Sequence, residues 1–195
     1  MRSPQLFIFL LIGFCSHAFA QSGPSAAFDA NSGSSVTPIL VGASRHRIPG
    51  GGLAFRSPAT NAAGDLEQKV FSMLNEQRRA KGLVALEWNE DVAAVARLHS
   101  QNMAEKKFFG HRGSDGSMVD DRADRLGLGT WRVIGENIAY MRGYDDPAAL
   151  AVEKWMESTE HRKNLLTPNW KESAVGIAIT DDGTYYMTQV FLLRN

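Results

Sequence analysis

Two apolar runs at the end of the chain constrain its fold more than any other feature. The runs Ala174 to Thr180 and Tyr185 to Leu193 are rich in β-branched and aromatic residues, and the polar stretch Asp181-Asp182-Gly183-Thr184 separates them. Two such runs joined through an Asp-Gly turn are typical of antiparallel strands. The sequence therefore predicts that the chain ends in a β-hairpin.

Helical spacing precedes the hairpin. The first helix is predicted to begin at Asp65, because Gln68 follows three residues later as in a capping box, and to end near Gly82. A second helix is predicted to follow Asn89, a favoured N-cap residue. The predicted buried face of this second helix consists of Val92, Ala96, His99 and Met103.

A third helix is predicted to begin at Pro147, because proline is favoured at the first helical position and Asp146 before it can act as the cap. Residues 108 to 131 are rich in glycine and polar side chains and are predicted to form a long surface loop. Residues 134 to 141 are predicted to form a strand or a short helix. Helices followed by a terminal hairpin indicate an α+β fold.

The first 64 residues contribute no predicted core. Residues 1–20 have the features of a signal peptide, with a positive charge at Arg2, a short apolar run and a small-residue cleavage site at Ala18-Phe19-Ala20. The apolar run is too short to span a bilayer, so no transmembrane anchor is expected after cleavage. Residues 21–64 are dominated by Gly, Ser, Ala and Pro and are predicted to be a flexible tether. Residues 65–195 are predicted to form one domain.

Composition limits the class of partner. The single cysteine, Cys15, lies in the predicted signal peptide, so the exported chain is expected to be free of cysteine and to rely on an ordinary core. Removing Arg2 from a chain with 21 basic and 21 acidic residues leaves 20 against 21, a net charge of about −1. This balance gives no indication of binding to nucleic acid or to an anionic membrane surface.

Imidazole and carboxylate side chains gather in the middle of the predicted domain. His111 opens the predicted loop, Glu136 lies in the stretch Gly135-Glu136-Asn137-Ile138-Ala139, and His161 begins the stretch His161-Arg162-Lys163-Asn164 just after the third helix. Such side chains transfer protons near neutral pH or bind divalent metals. Together they indicate a site.

The order of these motifs resembles the CAP superfamily, which comprises cysteine-rich secretory proteins, antigen 5 and pathogenesis-related proteins and is also called SCP-like. The resemblance extends from about Leu66 to Leu193 and is to the bacterial, cysteine-free type. It implies a three-layered α-β-α sandwich. It also implies a central cleft lined by two histidines and two acidic residues, which takes up zinc in some members.

The resemblance assigns two of these four positions directly. His111 matches the first histidine, and Glu136 matches the acidic residue of the Gly-Glu-Asn motif. The chain differs at the other two positions, because Ser158 stands where eukaryotic members have a glutamate and Tyr186 stands where they have the last histidine. His161 resembles a histidine of the bacterial members and is expected to supply the second imidazole.

Three interpretations of the cluster stay open at the level of sequence. His111, Glu136 and His161, with a hydroxyl from Ser158 or Tyr186, could bind zinc and leave one coordination position open. The same groups could act in general acid-base catalysis without a metal. Alternatively, Glu136 could hydrogen-bond both histidines and hold the loop against the third helix, which would make the cluster structural.

Two further residues near the cluster are predicted to be structural. His99 is expected to be a hydrogen-bonded histidine at the edge of the core and not a ligand. Arg125 matches an arginine that bacterial members commonly carry before the Gly-Glu-Asn motif, and we expect it to anchor the loop.

The leading functional prediction is a secreted or periplasmic binding or interaction module, and an enzyme is less favoured. The family implies varied ligands for such modules, including lipids, sterols, peptides and other proteins. The alternative is a hydrolase, either a peptidase or a nuclease, that acts through activated water. The sequence contains no convincing serine or cysteine nucleophile, so catalysis would have to use such a water.

Overall fold

A computed structural model describes Ser25–Ala27 and residues 61–194. The signal peptide predicted at residues 1–20 and most of the tether predicted at residues 21–64 lie outside this range. The helices are α1 (Asn61–Ala80), α2 (Glu90–Lys106), α3 (Val119–Arg125), α4 (Pro147–Glu157) and α5 (Thr159–Leu166). The strands are β1 (Ser25–Ala27), β2 (Glu87–Trp88), β3 (Val133–Arg142), β4 (Glu172–Ile179) and β5 (Thr184–Leu193). Within the part of the chain described, no helix is both long and apolar enough to cross a membrane.

The strands form one sheet in the order β1-β3-β5-β4-β2. β3 and β4 both pair with β5 in antiparallel fashion, and both registers run without a bulge. β1 is antiparallel to β3, whereas β2 is parallel to β4. β4 and β5 are consecutive and joined by a short turn, so the predicted terminal hairpin is confirmed. Residues 134 to 141, predicted as a strand or a short helix, belong to β3.

Helices cover both faces of the sheet. One face is packed by apolar side chains from α1, α4 and α5, among them Val70, Trp155 and Leu165. The other face is packed by α2 and α3, among them Val95 and Ala123. The described chain is therefore a three-layered α-β-α sandwich, and the predicted α+β class is confirmed.

Side-chain caps explain two of the helix starts. The Asn89 side chain accepts hydrogen bonds from the backbone N–H groups of Asp91 and Val92 at the start of α2. Asp146 caps α4 in the same way, with Pro147 at the first helical position as predicted. The predicted buried face of α2 is also confirmed, because Val92, Ala96, His99 and Met103 have no exposed surface.

The start of α1 differs from the prediction. The helix begins at Asn61, so Asp65 lies inside it and does not act as its cap. Ala62 and Ala63 before Asp65 are strong helix formers, and Ala63 is buried. The chain therefore continues the helix for a further turn toward the amino terminus.

Four other short elements, α3, α5, β1 and the two-residue strand β2, were missed. α3 interrupts the predicted loop, and its buried residues Val119 and Ala123 are spaced by four, a signal too short to be recognised as a helix. α5 contains His161, which was predicted to follow the helical region. β1 lies within the predicted tether and has too few residues for an alternating pattern.

The outer edge of β3 is covered along most of its length. The carbonyl of Glu136 accepts a hydrogen bond from the Asn164 side chain at 3.1 Å, and that of Ile138 accepts one from the Trp155 indole at 3.0 Å. Beyond these two residues, β1 pairs with Tyr140 to Arg142. Backbone groups at a sheet edge that would otherwise pair with another chain are thus satisfied internally.

The edge of β4 is closed by a side chain of α1. The fully buried carboxylate of Glu67 accepts a hydrogen bond from the backbone N–H of Ile177 at 3.0 Å and forms an ion pair with Arg97 of α2 at 2.6 Å. One carboxylate therefore satisfies the strand edge and connects helices from the two outer layers.

A buried arginine connects the end of α1 to the end of α5. Arg78 has no exposed surface, and its guanidinium donates to the carbonyls of Leu165 at 2.8 Å, Thr167 at 2.9 Å and Val84 at 3.0 Å. The carbonyls at the carboxyl end of a helix carry partial negative charge. They compensate the buried positive charge and join segments almost ninety residues apart.

α2 approaches β4 most closely at Gly176. A Cβ atom at this position would lie 2.1 Å from the backbone nitrogen of Arg97 and 2.4 Å from the carbonyl carbon of Ala96. Ser100 of α2 donates a hydrogen bond to the Gly176 carbonyl at 2.8 Å. The distance between this helix and the sheet therefore requires glycine.

We expect Gly176→Ala to lower the free energy of unfolding by about 3 kcal/mol or more, because the methyl group meets helix backbone that cannot move aside. Gly64→Ala is the matched control, since a Cβ at Gly64 of α1 meets nothing within 4 Å. That variant should gain about 0.5–1 kcal/mol from better helix propensity. Urea denaturation of both variants measures the difference, and equal stabilities would contradict the close approach.

Candidate functional site

Glu136 is the centre of the candidate site. It lies on β3, and only 5% of its surface is exposed. Its side chain is directed toward the layer of α2 and α3, where it contacts Arg122 of α3. Gly135 before it has no side chain, which leaves room for the Trp170 ring, only 3.1 Å from where a Cβ would lie.

Three cationic or imidazole groups surround the Glu136 carboxylate. Arg122 of α3 donates to Oε2 at 2.7 Å, and His111 Nδ1 donates to Oε1 at 2.8 Å. His99 Nε2 of α2 lies 3.9 Å from Oε1. Both oxygens of the carboxylate are therefore engaged, and the predicted pair of His111 and Glu136 is in direct contact.

These neighbours determine the charge of Glu136. Burial by itself would raise the pKa of the carboxyl group. The charge of Arg122, the charges of His99 and His111 when these imidazoles are protonated, and the hydrogen bond from His111 outweigh burial. The pKa of Glu136 is lowered from 4.5 to about 2. The carboxylate is consequently ionised throughout the neutral and mildly acidic range.

Arg122 also fixes the loop that carries His111. Its guanidinium donates to the carbonyls of Ser117 at 2.9 Å and His111 at 3.2 Å. Sequence reasoning missed this residue, because an arginine in a polar segment resembles a solvated surface residue. The arginine that it selected, Arg125, forms a largely exposed ion pair with Asp115 at 2.8 Å. Arg125 therefore contacts the loop but not Glu136.

His99 positions the start of the same loop. It is fully buried, and its Nε2–H donates to the carbonyl of Gly110 at 2.9 Å. Burial lowers the pKa of His99, an effect that the negative charge of Glu136 opposes. The expectation of a hydrogen-bonded core histidine agrees with this geometry, yet His99 is also the second imidazole beside Glu136.

His161 occupies a different layer of the molecule. It is buried on α5, and its carbonyl accepts a hydrogen bond from the side chain of Asn137 at 3.2 Å. Asn137 follows Glu136 on β3 and points to the opposite face of the sheet. The backbone of α5 at His161 therefore contacts β3 through Asn137, on the face opposite to the Glu136 side chain.

The predicted zinc ligands do not form a common ligand set. The Glu136 oxygens are engaged by His111 and Arg122, and His161 lies in the other helical layer. In the part of the chain described, no group of three or more His, Cys, Asp or Glu side chains could hold a metal ion. In this arrangement His111, Glu136 and His161 do not fit a shared zinc site, because strand alternation sends neighbouring side chains of β3 to different layers.

The two hydroxyl candidates also lie apart from one another. Ser158 is at the junction of α4 and α5, in the layer of His161. Tyr186 lies on β5 opposite Tyr140, on the Glu136 face of the sheet. The rings of Tyr186 and Tyr140 are 5.1 Å apart, and Phe109, two residues before His111, lies 5.9 Å from the Tyr140 ring.

Phe109, Tyr140 and Tyr186, which we call the aromatic face, extend the site beyond Glu136. Phe109 and Tyr140 are partly exposed, whereas Tyr186 is 8% exposed. The His111 side chain is 12% exposed, against 4% for Glu136 and none for His99. A molecule approaching from solvent would therefore meet His111 and the aromatic face before it met the carboxylate.

Removing the partner of the buried carboxylate should be costly. We expect Arg122→Met to lower the free energy of unfolding at pH 7 by about 3–5 kcal/mol, because an ionised group is left in the interior without its cation. Arg125→Met is the matched control and should change stability by about 1 kcal/mol or less, since its ion pair is exposed. Chemical denaturation at pH 7 measures both effects.

The pH dependence provides a second readout of Arg122→Met. In the wild type, the stabilisation from ionised Glu136 is present above pH 4.5 and is lost as pH falls toward about 2, the folded pKa. Without Arg122, burial raises the pKa of Glu136. In the variant, Glu136 therefore becomes protonated at mildly acidic pH, which removes the unpaired buried charge. The stability deficit should therefore shrink between pH 7 and pH 5, and a constant deficit would contradict the assigned role.

His99 should make the folded state sensitive to acid. Its pKa is lowered in the folded protein, so below about pH 6.5 the unfolded chain binds a proton that the folded chain does not. Stability should fall with decreasing pH, by at most about 1.4 kcal/mol per pH unit for this one group. His99→Gln removes this contribution, so its unfolding free energy should change less between pH 7 and pH 5. Parallel pH profiles for the two proteins would argue against a neutral buried His99.

Comparison with known sequences agrees with the motifs. Residues 71–191 match the model of the CAP family, described as the Cysteine-rich secretory protein family. The chain is 32% identical over 134 residues to the uncharacterized protein YkwD and 38% identical over 128 residues to the uncharacterized membrane protein YlbC, both from Bacillus subtilis. These alignments cover 69% and 66% of this chain but 49% and 34% of the relatives, so the chain spans half or less of their length.

Solved structures with this fold include two bacterial surface or extracellular proteins. An extracellular protein containing an SCP domain from Bacillus anthracis matches with a TM-score of 0.58 and 28% identity, over 68% of this chain and 41% of that one. An outer surface protein from Borrelia burgdorferi matches with a TM-score of 0.61 over 67% of this chain and 94% of that one, and its 18% identity shows the fold alone. Because the family model covers more than half of the residues, the chain belongs to the CAP family, the Cysteine-rich secretory protein family.

Proposed function

We propose that this CAP-family protein is exported and acts as a binding module whose ligand contacts His111 and the aromatic face. The observation that carries the proposal is the gradient of exposure across the site. His111 and two aromatic rings reach the surface, while Glu136, Arg122 and His99 behind them are buried and hold one another in place. A partly exposed imidazole and aromatic rings on a rigid support are well suited to bind a ligand.

The hydrogen bonds that Glu136 accepts favour a ligand-binding role over a hydrolytic one. A general base accepts a proton best when its pKa lies near the working pH. The pKa of Glu136 is about 2, and Arg122 occupies one of its oxygens. The carboxylate is therefore suited to orienting His111 and is a weak proton acceptor.

A hydrolase is the second candidate, and the bond from His111 to Glu136 favours it. A carboxylate that accepts the Nδ1–H of a histidine fixes the tautomer in which the other ring nitrogen can serve as a base. In this candidate, His111 would activate a water molecule on a peptide or a nucleic acid bound at the aromatic face.

Export is the second part of the proposal. Residues 1–20 have the charge, apolar run and cleavage site of a signal peptide. The Bacillus anthracis relative is described as extracellular, whereas one curated relative is named a membrane protein. We propose a secreted or periplasmic location for this chain.

The ligands proposed for the aromatic face are apolar or contain an apolar segment, as in a lipid, a sterol, a peptide or a segment of another protein. Partly exposed rings bury such groups on contact and lose little side-chain entropy when they do so. The near-neutral composition of the chain gives no reason to expect nucleic acid as a binding partner.

Equilibrium binding to a defined panel tests the proposal. The panel consists of palmitate, cholesterol and a mixed pentapeptide library, titrated onto the purified protein. We expect His111→Ala and Tyr140→Ala each to weaken binding of the active panel member by about tenfold or more, as for central interface residues. Arg112→Ala is the matched control, because this neighbour of His111 is exposed and donates to the carbonyl of Gly116 within the loop.

Two results would contradict the binding module. The first is that no panel member binds, and the second is that Arg112→Ala weakens binding as much as His111→Ala. The hydrolase candidate is tested separately with quenched fluorescent peptides and oligonucleotides. Turnover that disappears in His111→Ala, with binding of the substrate retained, would make the second candidate the better description.

A further inference from the structure

The outer edge of β3 at Tyr140 to Arg142 is a strand-binding site occupied by the chain's own β1. We propose that this site also accepts Ser25–Ala27 from a second copy of the chain, so that two copies exchange their first strands. The proposal is independent of the ligand-binding function, although Tyr140 belongs to the aromatic face.

The strand-binding site on β3 is only three residues long, because side chains cover the rest of the outer edge of β3. The carbonyls of Glu136 and Ile138 are directed away from β5 and are bonded to Asn164 and Trp155. Because the pairing of β3 with β5 has no bulge, the N–H and C=O groups of successive β3 residues point alternately toward β5 and away from it. The backbone groups of Tyr140 and Arg142 therefore also point away from β5. Their backbone groups can be satisfied by an extended strand, which is the mode of recognition called β-augmentation.

The donor strand is short and distant in sequence from the rest of the domain. Only three residues pair with β3, opposite Arg142, Met141 and Tyr140. Residues 28 to 60, which number 33, separate the donor from α1. Fully extended, such a segment would reach at most about 120 Å, which is several times the width of a domain of this size. Its length therefore permits the donor to reach a neighbouring copy.

The second copy is the occupant that the chemistry favours. Its Ser25–Ala27 has the same sequence and can repeat every backbone interaction of the resident strand, which makes exchange a low-cost route to association. The resident strand competes because it is covalently attached, at an effective concentration on the order of millimolar. Exchange should therefore become measurable as the protein concentration approaches this range.

Cysteine cross-linking provides the test, using the chain from Gln21 onward, which contains no cysteine. Ser25 and Arg142 are Cα partners across β1 and β3, about 5.5 Å apart in an outward-directed pair. One sample mixes Ser25→Cys with Arg142→Cys at micromolar to millimolar concentration and adds a short bismaleimide. In the double variant Ser25→Cys/Arg142→Cys at low concentration, an intramolecular link shows that β1 pairs with β3 of the same chain.

The expected result is a linked pair of copies in the mixture, joined through positions 25 and 142 by mass spectrometry of the peptides. Thr130→Cys replaces Arg142→Cys as a collision control, because it precedes the far end of β3 and is exposed. Linkage to position 130 should be weak. Both the intermolecular and the intramolecular links should decrease by about tenfold with Ala27→Pro, which removes a backbone donor to β3.

Ala26→Pro is the matched control for the loss of the donor. Ala26 lies opposite Met141, whose backbone is directed toward β5, so the N–H of Ala26 points away from β3. This variant should retain both links. Failure to link copies at millimolar concentration, equal linkage to position 130, or absence of the intramolecular link in the double variant would each overturn the proposal.

Discussion

The burial of the Glu136 carboxylate is the constraint on which the site depends. Removing an ionised carboxylate from water costs several kcal/mol, and this cost is offset only where cations and hydrogen-bond donors reach both oxygens. Arg122 and His111 meet that requirement from two parts of the segment between α2 and β3. The segment is thereby ordered around a single negative charge.

Each partner of Glu136 depends on a further contact. Arg122 reaches the carboxylate from α3, whose Val119 and Ala123 are buried against the second helical layer. His111 is in place because His99 holds the preceding carbonyl of Gly110 from α2. The site is therefore supported by α2, α3 and β3, which together hold the loop residue His111 in place. This preorganisation is what a binding surface needs in order to limit the entropy lost on association.

Local signals predicted much of the fold from the sequence. The hairpin, the caps at Asn89 and Asp146 and the buried face of α2 depend on residues close together in the chain, and the structure contains all of them. The contact of His111 with Glu136 was predicted through resemblance to a family. His161 was placed in the same site because nothing local shows that α5 packs on the opposite face of β3 from Glu136. Arg122 was missed because an arginine is recognised as buried only when its carboxylate partner is known.

The Arg78 link has a consequence for the location that we propose for this protein, outside the cytoplasm. Exported domains commonly connect distant segments with disulfides, which require an oxidant and often an isomerase. Here a guanidinium on three carbonyls connects α1 with the end of α5, and residues 61–194 contain no cysteine. This connection forms as the chain folds and contains no bond that a reductant can break. The domain can therefore fold in the same way in an oxidising or a reducing compartment, because this connection does not depend on thiol chemistry.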